Sequence, residues 1–450
     1  MQLTLPFLVL LQEFAPVFTR PSFETFLSLL TGWCLSFRHR FITELILSSG
    51  STHNGHHSCY HRFFSQACWS LDTLWYYLAR VLLATFAPTG LVELAGDDTL
   101  CRKRGLTIYG TGMHHDPLLS SRALKVVSWG HDWVVLTLIA RCPWAPSKVW
   151  ALPLLARLYR NRQGLTKGRR GQPAPVDPNR RTRPELFRDM LQLLAGWFPQ
   201  RQFIVTGDRA YGGKSVLRHL PANIDLISQV HPKGALYEPA PPRLPKQKGA
   251  GRKKGARLPG MAEWAADPAL PWTELRFDQF GLHATLEVKT RQALYYQAGG
   301  ARLLTIVLTR DTVGKRPVQM FYCTRLHWDA RQILSCYAGR WAIEVTFENC
   351  KQLLGLEEPA NRLGLAVQRT APMALVLYSL IVVWFHRVGH LLVAFPERPW
   401  YPSKAEPSFA DMISTLRRTS WEEQLLPLLP QRGVLKNRVV QLLEFTSRAG

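Results

Sequence analysis

Between Asp329 and Leu356 the chain reads DARQILSCYAGRWAIEVTFENCKQLLGL, and four side chains in it could do chemistry: Tyr337, Arg340, Glu344 and Lys351. Apolar and aromatic residues recur at helical spacing without a Pro, which predicts one helix over the whole stretch. Gly339 sits inside it at a cost of roughly 1 kcal/mol against Ala, and Gly355 stands where a helix-ending Gly belongs. At about 100° per residue, offsets of three, seven and fourteen place the four polar side chains within an arc of roughly 60°. A carboxylate flanked by two cations suits a metal-and-phosphate site, the carboxylate holding a divalent cation and the cations holding nucleic-acid phosphates. The alternative is a solvated helix face laced with salt bridges. Glu348 falls near the same face, so geometry alone leaves the choice of carboxylate open.

The surrounding chain favours a polyanionic partner. Its 450 residues carry 56 Lys+Arg against 32 Asp+Glu, a net charge of +24, on a hydrophobic content of 46%. That content excludes a disordered basic tail, and a folded chain so basic is expected to bind nucleic acid. Eight Cys occur with no CxxC pair, which fits reduced thiols in a cytoplasm better than a disulfide framework or a zinc ribbon. The N-terminal MQLTLPFLVLLQEF lacks a basic n-region and meets Glu13 early, unlike a signal peptide. The apolar run Ala371 to Phe385 is short of the roughly 20 residues a bilayer span needs and reads as a buried core helix. The expectation is a cytoplasmic, nucleoid-associated protein with no membrane partner.

Residues 1–88 read as packed amphipathic helices, a mainly helical region expected to bind DNA ends. His53, His56, His57, Cys59, His61 and Cys68 within it match no standard zinc spacing and read as a loop entering a helix. Leu91 to Thr99 reads as a buried strand ending in Asp97 and Asp98, followed by strands at Val134 to Ala140 and Val149 to Leu155. Arg157 to Arg183 is dense in cations and prolines, a loop suited to tracking phosphates, and Pro184 opens a helix to about Trp197. Gln202 to Asp208 is a second strand running into an acid, then a helix to Leu220 and a strand from Asn223 to Val230. A basic arm from Pro232 to Gly260, with Arg252, Lys253 and Lys254, breaks this order. Strand-like pieces follow around residues 285–289, 303–309 and 318–323. Five regions result: 1–88 helical, 89–230 first part of an α/β core, 231–300 basic insertion, 301–395 second part of the core, and 396–450 a C-terminal helical region.

Three carboxylate positions thus line up: Asp98 or Asp97, Asp208, and Glu344. Two divalent ions about 3.5–4 Å apart need such hard oxygen ligands to activate a water or 3′-hydroxyl and to stabilise the leaving oxygen at phosphorus. Mg²⁺ suits all-carboxylate ligation, with Mn²⁺ a substitute.

Tyr337, Arg340, Glu344 and Lys351 match a Y-(2)-R-(3)-E-(6)-K signature at every spacing, and Asp97-Asp98-Thr99 and Gly207 to Gly213 (GDRAYGG) match the two acid motifs that accompany it. On these residues the chain resembles the DDE transposases of bacterial insertion sequences, over about residues 55–385. The resemblance implies an α/β fold with a ribonuclease-H-like catalytic core, a mixed sheet flanked by helices and interrupted by an insertion. By motif position it assigns Asp98, Asp208 and Glu344 as the catalytic triad and ligands of two Mg²⁺ ions, choosing Glu344 over Glu348. Arg340 and Lys351 become phosphate contacts, and Tyr337 their support or a further contact. Arg252, Lys253 and Lys254 fall in the implied insertion and are read as DNA contacts. Trp264 or Trp272 there could stack on a flipped base, with core packing as the alternative. Asp97 either shares the metal or caps a turn, and His114, His115 and Asp116 read as a structural turn. The implied activity is metal-dependent cleavage at inverted terminal repeats and strand transfer into target double-stranded DNA, by a homodimer. The rival readings are a catalytically silent DNA-binding relic and a related nuclease without strand transfer.

Overall fold

The computed structural model describes residues 2–121, 123–161, 180–243, 250–279, 282–312, 317–395, 402–429 and 434–448. Lys167, Arg169 and Arg170 of the expected phosphate-tracking loop, and Lys246 and Lys248 of the basic arm, lie outside the described residues.

Five helices come first: α1 (Leu5–Gln12), α2 (Arg20–Leu35), α3 (Ile42–Ser49), α4 (His57–Ser65) and α5 (Leu71–Phe86). The strands β1 (Val92–Arg102), β2 (Gly112–His115), β3 (Val127–Cys142) and β4 (Ala145–Tyr159) follow, then α6 (Arg183–Trp197), β5 (Phe203–Gly207), α7 (Lys214–Leu217) and β6 (Ile224–Gln229). Next come α8 (Met261–Ala266), β7 (Thr273–Gln279), β8 (Leu282–Leu294), α9 (Tyr296–Gly299), β9 (Leu303–Asp311) and β10 (Gln319–Cys323). The chain closes with α10 (Ala330–Gly339), α11 (Ala342–Leu354), α12 (Gly364–Arg387), α13 (Phe409–Leu425) and α14 (Val434–Ser447).

Among the described residues the strands form one sheet in the order β2-β3-β1-β5-β6-β10-β9-β8-β7, with β4 also on β3. β1 pairs antiparallel with β3 and parallel with β5, and β5 pairs parallel with β6. The antiparallel side needs only a tight turn between β3 and β4, whereas the parallel pairs need crossovers, which α6 and α7 supply. The apolar runs of β3 and β4 are buried almost continuously from Gly130 to Ala140 and from Trp150 to Ala156, as strands covered on both faces must be. A mixed sheet of this topology flanked by helices is consistent with a ribonuclease-H-like fold.

Several expectations change. β1 does not end at the acids: it continues to Arg102, paired with β3 up to Arg102–Gly130. β7 is a strand beyond those expected, at the far edge of the sheet, and its partner β8 is much longer than the expected strand piece. β7 and β8 pair with each other and then with β9, so the region expected as an insertion extends the same sheet. The N-terminal helices share one contiguous apolar core with the sheet, from Phe7 and Trp33 to Leu94, Leu136 and Trp384. α12 spans 24 residues, longer than the apolar run suggested. Among the described residues it is the one helix long and apolar enough to cross a membrane, yet 94% of its most apolar window is buried inside the protein.

Candidate active site

β1 and β5 run parallel in register from Val92–Phe203 to Gly96–Gly207. Asp97 and Asp208 are the next residues on the two strands, side by side where the pairing stops. Asp208 leaves the sheet in a turn fixed by its own carboxylate, which accepts the N–H of Ala210 at 2.8 Å and of Tyr211 at 3.3 Å. This local bonding is the reason Asp suits the start of a turn. The turn is packed so tightly that a Cβ on Gly212 would lie 2.2 Å from the Ser228 hydroxyl and 2.8 Å from that of Tyr322.

Strand alternation separates the two aspartates of the DDT motif. Gly96 and Asp98 face α6: a Cβ on Gly96 would meet the Phe187 ring at 2.0 Å, and Asp98 accepts the Tyr211 hydroxyl at 2.5 Å and lies 3.4 Å from Arg183 Nε. Asp97 faces the other way, toward α10 and α11, where Arg340 bonds it directly. The residue that shares a face with Glu344 and stands beside Asp208 is therefore Asp97. Motif position had pointed to Asp98; a one-residue step along a strand reverses the face, and the β1–β3 register has no bulge that would undo this.

The helix expected over the whole signature is two. Asp329 starts α10 with a capping box, its carboxylate accepting the Gln332 N–H at 2.8 Å while the Gln332 side chain accepts the Asp329 N–H at 3.1 Å. At Gly339 the ladder tightens: Arg340 N–H reaches Tyr337 O at 3.1 Å and Trp341 N–H reaches Ala338 O at 3.2 Å, a 3₁₀-type step that resets the helix. Gly355, at φ 64°, ends α11. The inner face of α11 buries Ile343, Phe347, Cys350 and Leu354, and Thr346 donates to Ala151 O on β4 at 2.8 Å. Its far end is held from the N-terminal region, where the Trp33 indole donates to Leu354 O at 2.8 Å and Arg40 donates to Leu353 O at 2.9 Å.

Arg340 occupies the centre of the constellation. It pairs with Asp97 and sits 3.5 Å from Glu344, its guanidinium lies 5.7 Å from the Tyr337 ring, and the charges of Asp97, Glu344 and Asp208 all act on it. Tyr337 packs edge-on against Phe321 at 4.8 Å. Lys351 is committed elsewhere: its ammonium donates to Leu100 O on β1 at 2.7 Å and lies 3.6 Å from Glu357. It ties α11 to β1.

Burial pushes the Asp97 carboxyl up to about 7 despite Arg340, with Asp98 and Asp208 adding to the rise. A buried carboxylate still short of countercharge beside two further carboxylates is a donor set for a hard divalent cation. Asp97, Asp208 and Glu344 fit such an ion in kind. Among the described residues no three acidic, His or Cys side chains converge closely enough to ligate one as they stand, because Arg340 lies between Asp97 and Glu344. In front of them opens a cavity of about 720 Å³, bordered by Asp97, Asp98, Trp341, Glu344, Phe347 and Lys351. Trp341, beside Arg340, is 64% exposed there.

A family model described as DDE superfamily endonuclease matches residues 13–298, more than half of the chain. The chain belongs to the DDE superfamily endonucleases. No curated protein matches it. The match takes in both aspartate motifs and stops short of α11, so the place of Glu344 in this DDE endonuclease rests on the signature spacing and on geometry. Endonucleases of this superfamily generally use divalent metal ions.

The other residues singled out in the sequence of this DDE endonuclease fall into place around the site. Asp116 is structural: Arg102 donates to it at 2.7 and 2.9 Å and Ser128 at 2.6 Å, which hold its carboxyl well below the usual range. His114 is buried 3.5 Å from Asp132. Trp264 is a core residue, 1% exposed, and Trp272 lies under the cations of Lys289 and Arg310 at 4.8 and 4.4 Å. Lys254 stacks on Tyr237 at 3.6 Å, while Arg252 and Lys253 are exposed. Tyr211, Asp132 and Trp341 went unassigned in the sequence, and Arg183, expected in the phosphate-tracking loop, instead opens α6 and pairs with Asp98 and Asp132. Only Tyr211 carried a signal, as the aromatic in GDRAYGG.

Proposed function

We propose that this DDE superfamily endonuclease is a transposase that cleaves DNA at the ends of its own element and joins the freed 3′-hydroxyl to target DNA. What carries the reading is the placement of Asp97 and Asp208 as neighbours on two parallel strands, under a helix that presents Glu344, with Arg340 amid all three. Asp97, Asp208 and Glu344 would hold Mg²⁺ or Mn²⁺, which when bound supplies nucleophile activation and stabilisation of the leaving oxygen at phosphorus. Asp208 is oriented by two backbone N–H groups, so its second oxygen is free to face the site. Glu344 is held by the capped, buttressed pair of helices. Arg340 would hold a DNA phosphate, and Tyr337, 5.7 Å from its guanidinium, would keep it in position. Lys351 fixes the spacing of α11 and β1. The basic surface, with Arg252 and Lys253, supports duplex DNA as the partner, and capture of two element ends implies two copies of the chain.

The test is cleavage and strand transfer by the purified full chain on its element ends and a target plasmid, with Mg²⁺, EDTA and Asp208→Asn arms. Asn still accepts the turn hydrogen bonds, so this variant is expected to bind ends and fail to cut. Tight end binding without cutting in Mg²⁺ or Mn²⁺ by the natural chain would move the reading to a DNA-binding relic. Cutting without joined product would move it to a nuclease.

A further inference from the structure

Asp98 is the acid that the site does not use directly, and both of its oxygens are engaged. Oδ1 accepts the Tyr211 hydroxyl at 2.5 Å and Oδ2 lies 3.4 Å from Arg183 Nε. Arg183 is itself anchored, bonded to Asp132 Oδ2 at 2.5 Å and stacked over the Tyr159 ring at 4.7 Å. Tyr211 is fully buried, with its ring 4.8 Å from that of Phe187. At its other end the Tyr211 backbone N–H donates to Asp208 O at 3.1 Å and to Asp208 Oδ1 at 3.3 Å. Ser228 completes the clamp, its hydroxyl donating to Asp208 O at 2.7 Å.

We propose that Asp98 is a positioning residue: it holds the Tyr211 phenol, and through Tyr211 the turn that aims Asp208, while Asp97 is the acid that faces the metal. This deepens the transposase reading and rests on it. Three physical points support the assignment. A buried phenol must find a hydrogen-bond partner, and Asp98 provides a charge-assisted one. A strand residue of the opposite parity cannot turn to the Glu344 side without a register slip that would reverse every neighbour. Groups that orient a metal ligand typically carry a large share of a site's performance, about 10–100-fold when removed.

The experiment uses the full chain and two readouts, Mn²⁺ binding followed by electron paramagnetic resonance of the free ion, and cleavage in Mg²⁺ against Mn²⁺. Asp97→Asn is expected to weaken Mn²⁺ binding by about 10-fold or more, as loss of a ligand should. Asp98→Asn is expected to bind Mn²⁺ as the natural chain does, because the amide oxygen still accepts the phenol. Asp98→Ala and Tyr211→Phe should each slow cleavage by about 10–100-fold, and the double variant should be no slower than either, as for one chain of contacts. Asp97→Cys should be silent in Mg²⁺ and regain cleavage in Mn²⁺, which accepts a thiolate better; Asp98→Cys should show no such switch. If Asp98→Asn loses Mn²⁺ as Asp97→Asn does, or Asp98→Cys is rescued by Mn²⁺, then Asp98 is a ligand, and the proposal fails while the transposase reading stands. If the natural chain neither binds Mn²⁺ nor cleaves, the transposase reading falls and takes the proposal with it.

Discussion

Replacing Asp97 with Asn should make the protein more stable at pH 8 while removing an acid proposed to hold the metal. The reason is the cost of holding that carboxylate charged in the fold. Burial lifts its carboxyl from 3.8 to about 7 even with Arg340 bonded to it, and the side chain is only 19% exposed. Each pKa unit corresponds to about 1.4 kcal/mol, so the charged form costs the fold on the order of 2–4 kcal/mol at pH 8. The sign follows from proton linkage. Between pH 3.8 and 7 the folded state binds the proton more tightly than the unfolded chain, so stability falls as pH rises through that window and the loss is complete above it. Asn imitates the protonated acid and escapes the penalty. Urea unfolding in EDTA, run on both chains at pH 5 and pH 8, should show Asp97→Asn ahead by about 2–4 kcal/mol at pH 8, with most of the gap gone at pH 5. Added Mg²⁺ should raise the natural chain more than the variant, since tighter binding to the folded state stabilises it more. A variant less stable than the natural chain at pH 8, or a gap that does not change with pH, would refute the argument that this carboxylate is held at a cost awaiting a cation.

The other predictions concern the parts that hold the site. Gly212→Ala would push a methyl into the Ser228 and Tyr322 hydroxyls and should cost about 1–3 kcal/mol in unfolding experiments; a neutral result would mean the turn is looser than described. Lys351→Met removes the tie from α11 to Leu100 O and Glu357. It should lower stability by about 1–3 kcal/mol, with a smaller effect on DNA affinity in a filter-binding titration; a purely DNA-binding defect would restore Lys351 as a phosphate contact. Trp341→Ala should leave stability within about 0.5 kcal/mol, since the ring is largely exposed. If the ring meets an unpaired base, affinity for DNA with a single-stranded end should fall by about 1–3 kcal/mol, measured by fluorescence anisotropy, while duplex binding changes less.

The sequence made the acid-bearing elements readable because each announces itself locally. LVELAGDD and QFIVTGD are apolar runs meeting acids, and the signature around Glu344 has helical spacing. What it hid was parity. Asp97 and Asp98 are chemically identical, and only the β1–β5 register decides which of them faces Arg340. The break at Gly339 was also invisible, because both helical segments are apolar on a common face and the 3₁₀ step needs no breaker stronger than one Gly. The roles of Lys351 and Asp98 depend on partners more than a hundred residues away, Leu100 in one case and Tyr211 in the other. Helical spacing aligned Lys351 with Glu344 correctly but could not show that a strand carbonyl was already claiming its ammonium.

The hold that Trp33 and Arg40 take on the last carbonyls of α11 reaches across more than three hundred positions of chain. On the ribosome, the first helices emerge early and must wait for nearly the whole core before these partners exist. Until then the indole of Trp33 lacks its Leu354 acceptor, the guanidinium of Arg40 holds only the nearby Arg38 carbonyl, and the end of the helix carrying Glu344 lacks this brace. A prematurely terminated chain lacking α11 would lack the third acid; one lacking the first forty residues would keep all three but lose this brace. On the transposase reading, both fragments should be poor nucleases, the first for want of Glu344 and the second for want of the brace on the helix that carries it.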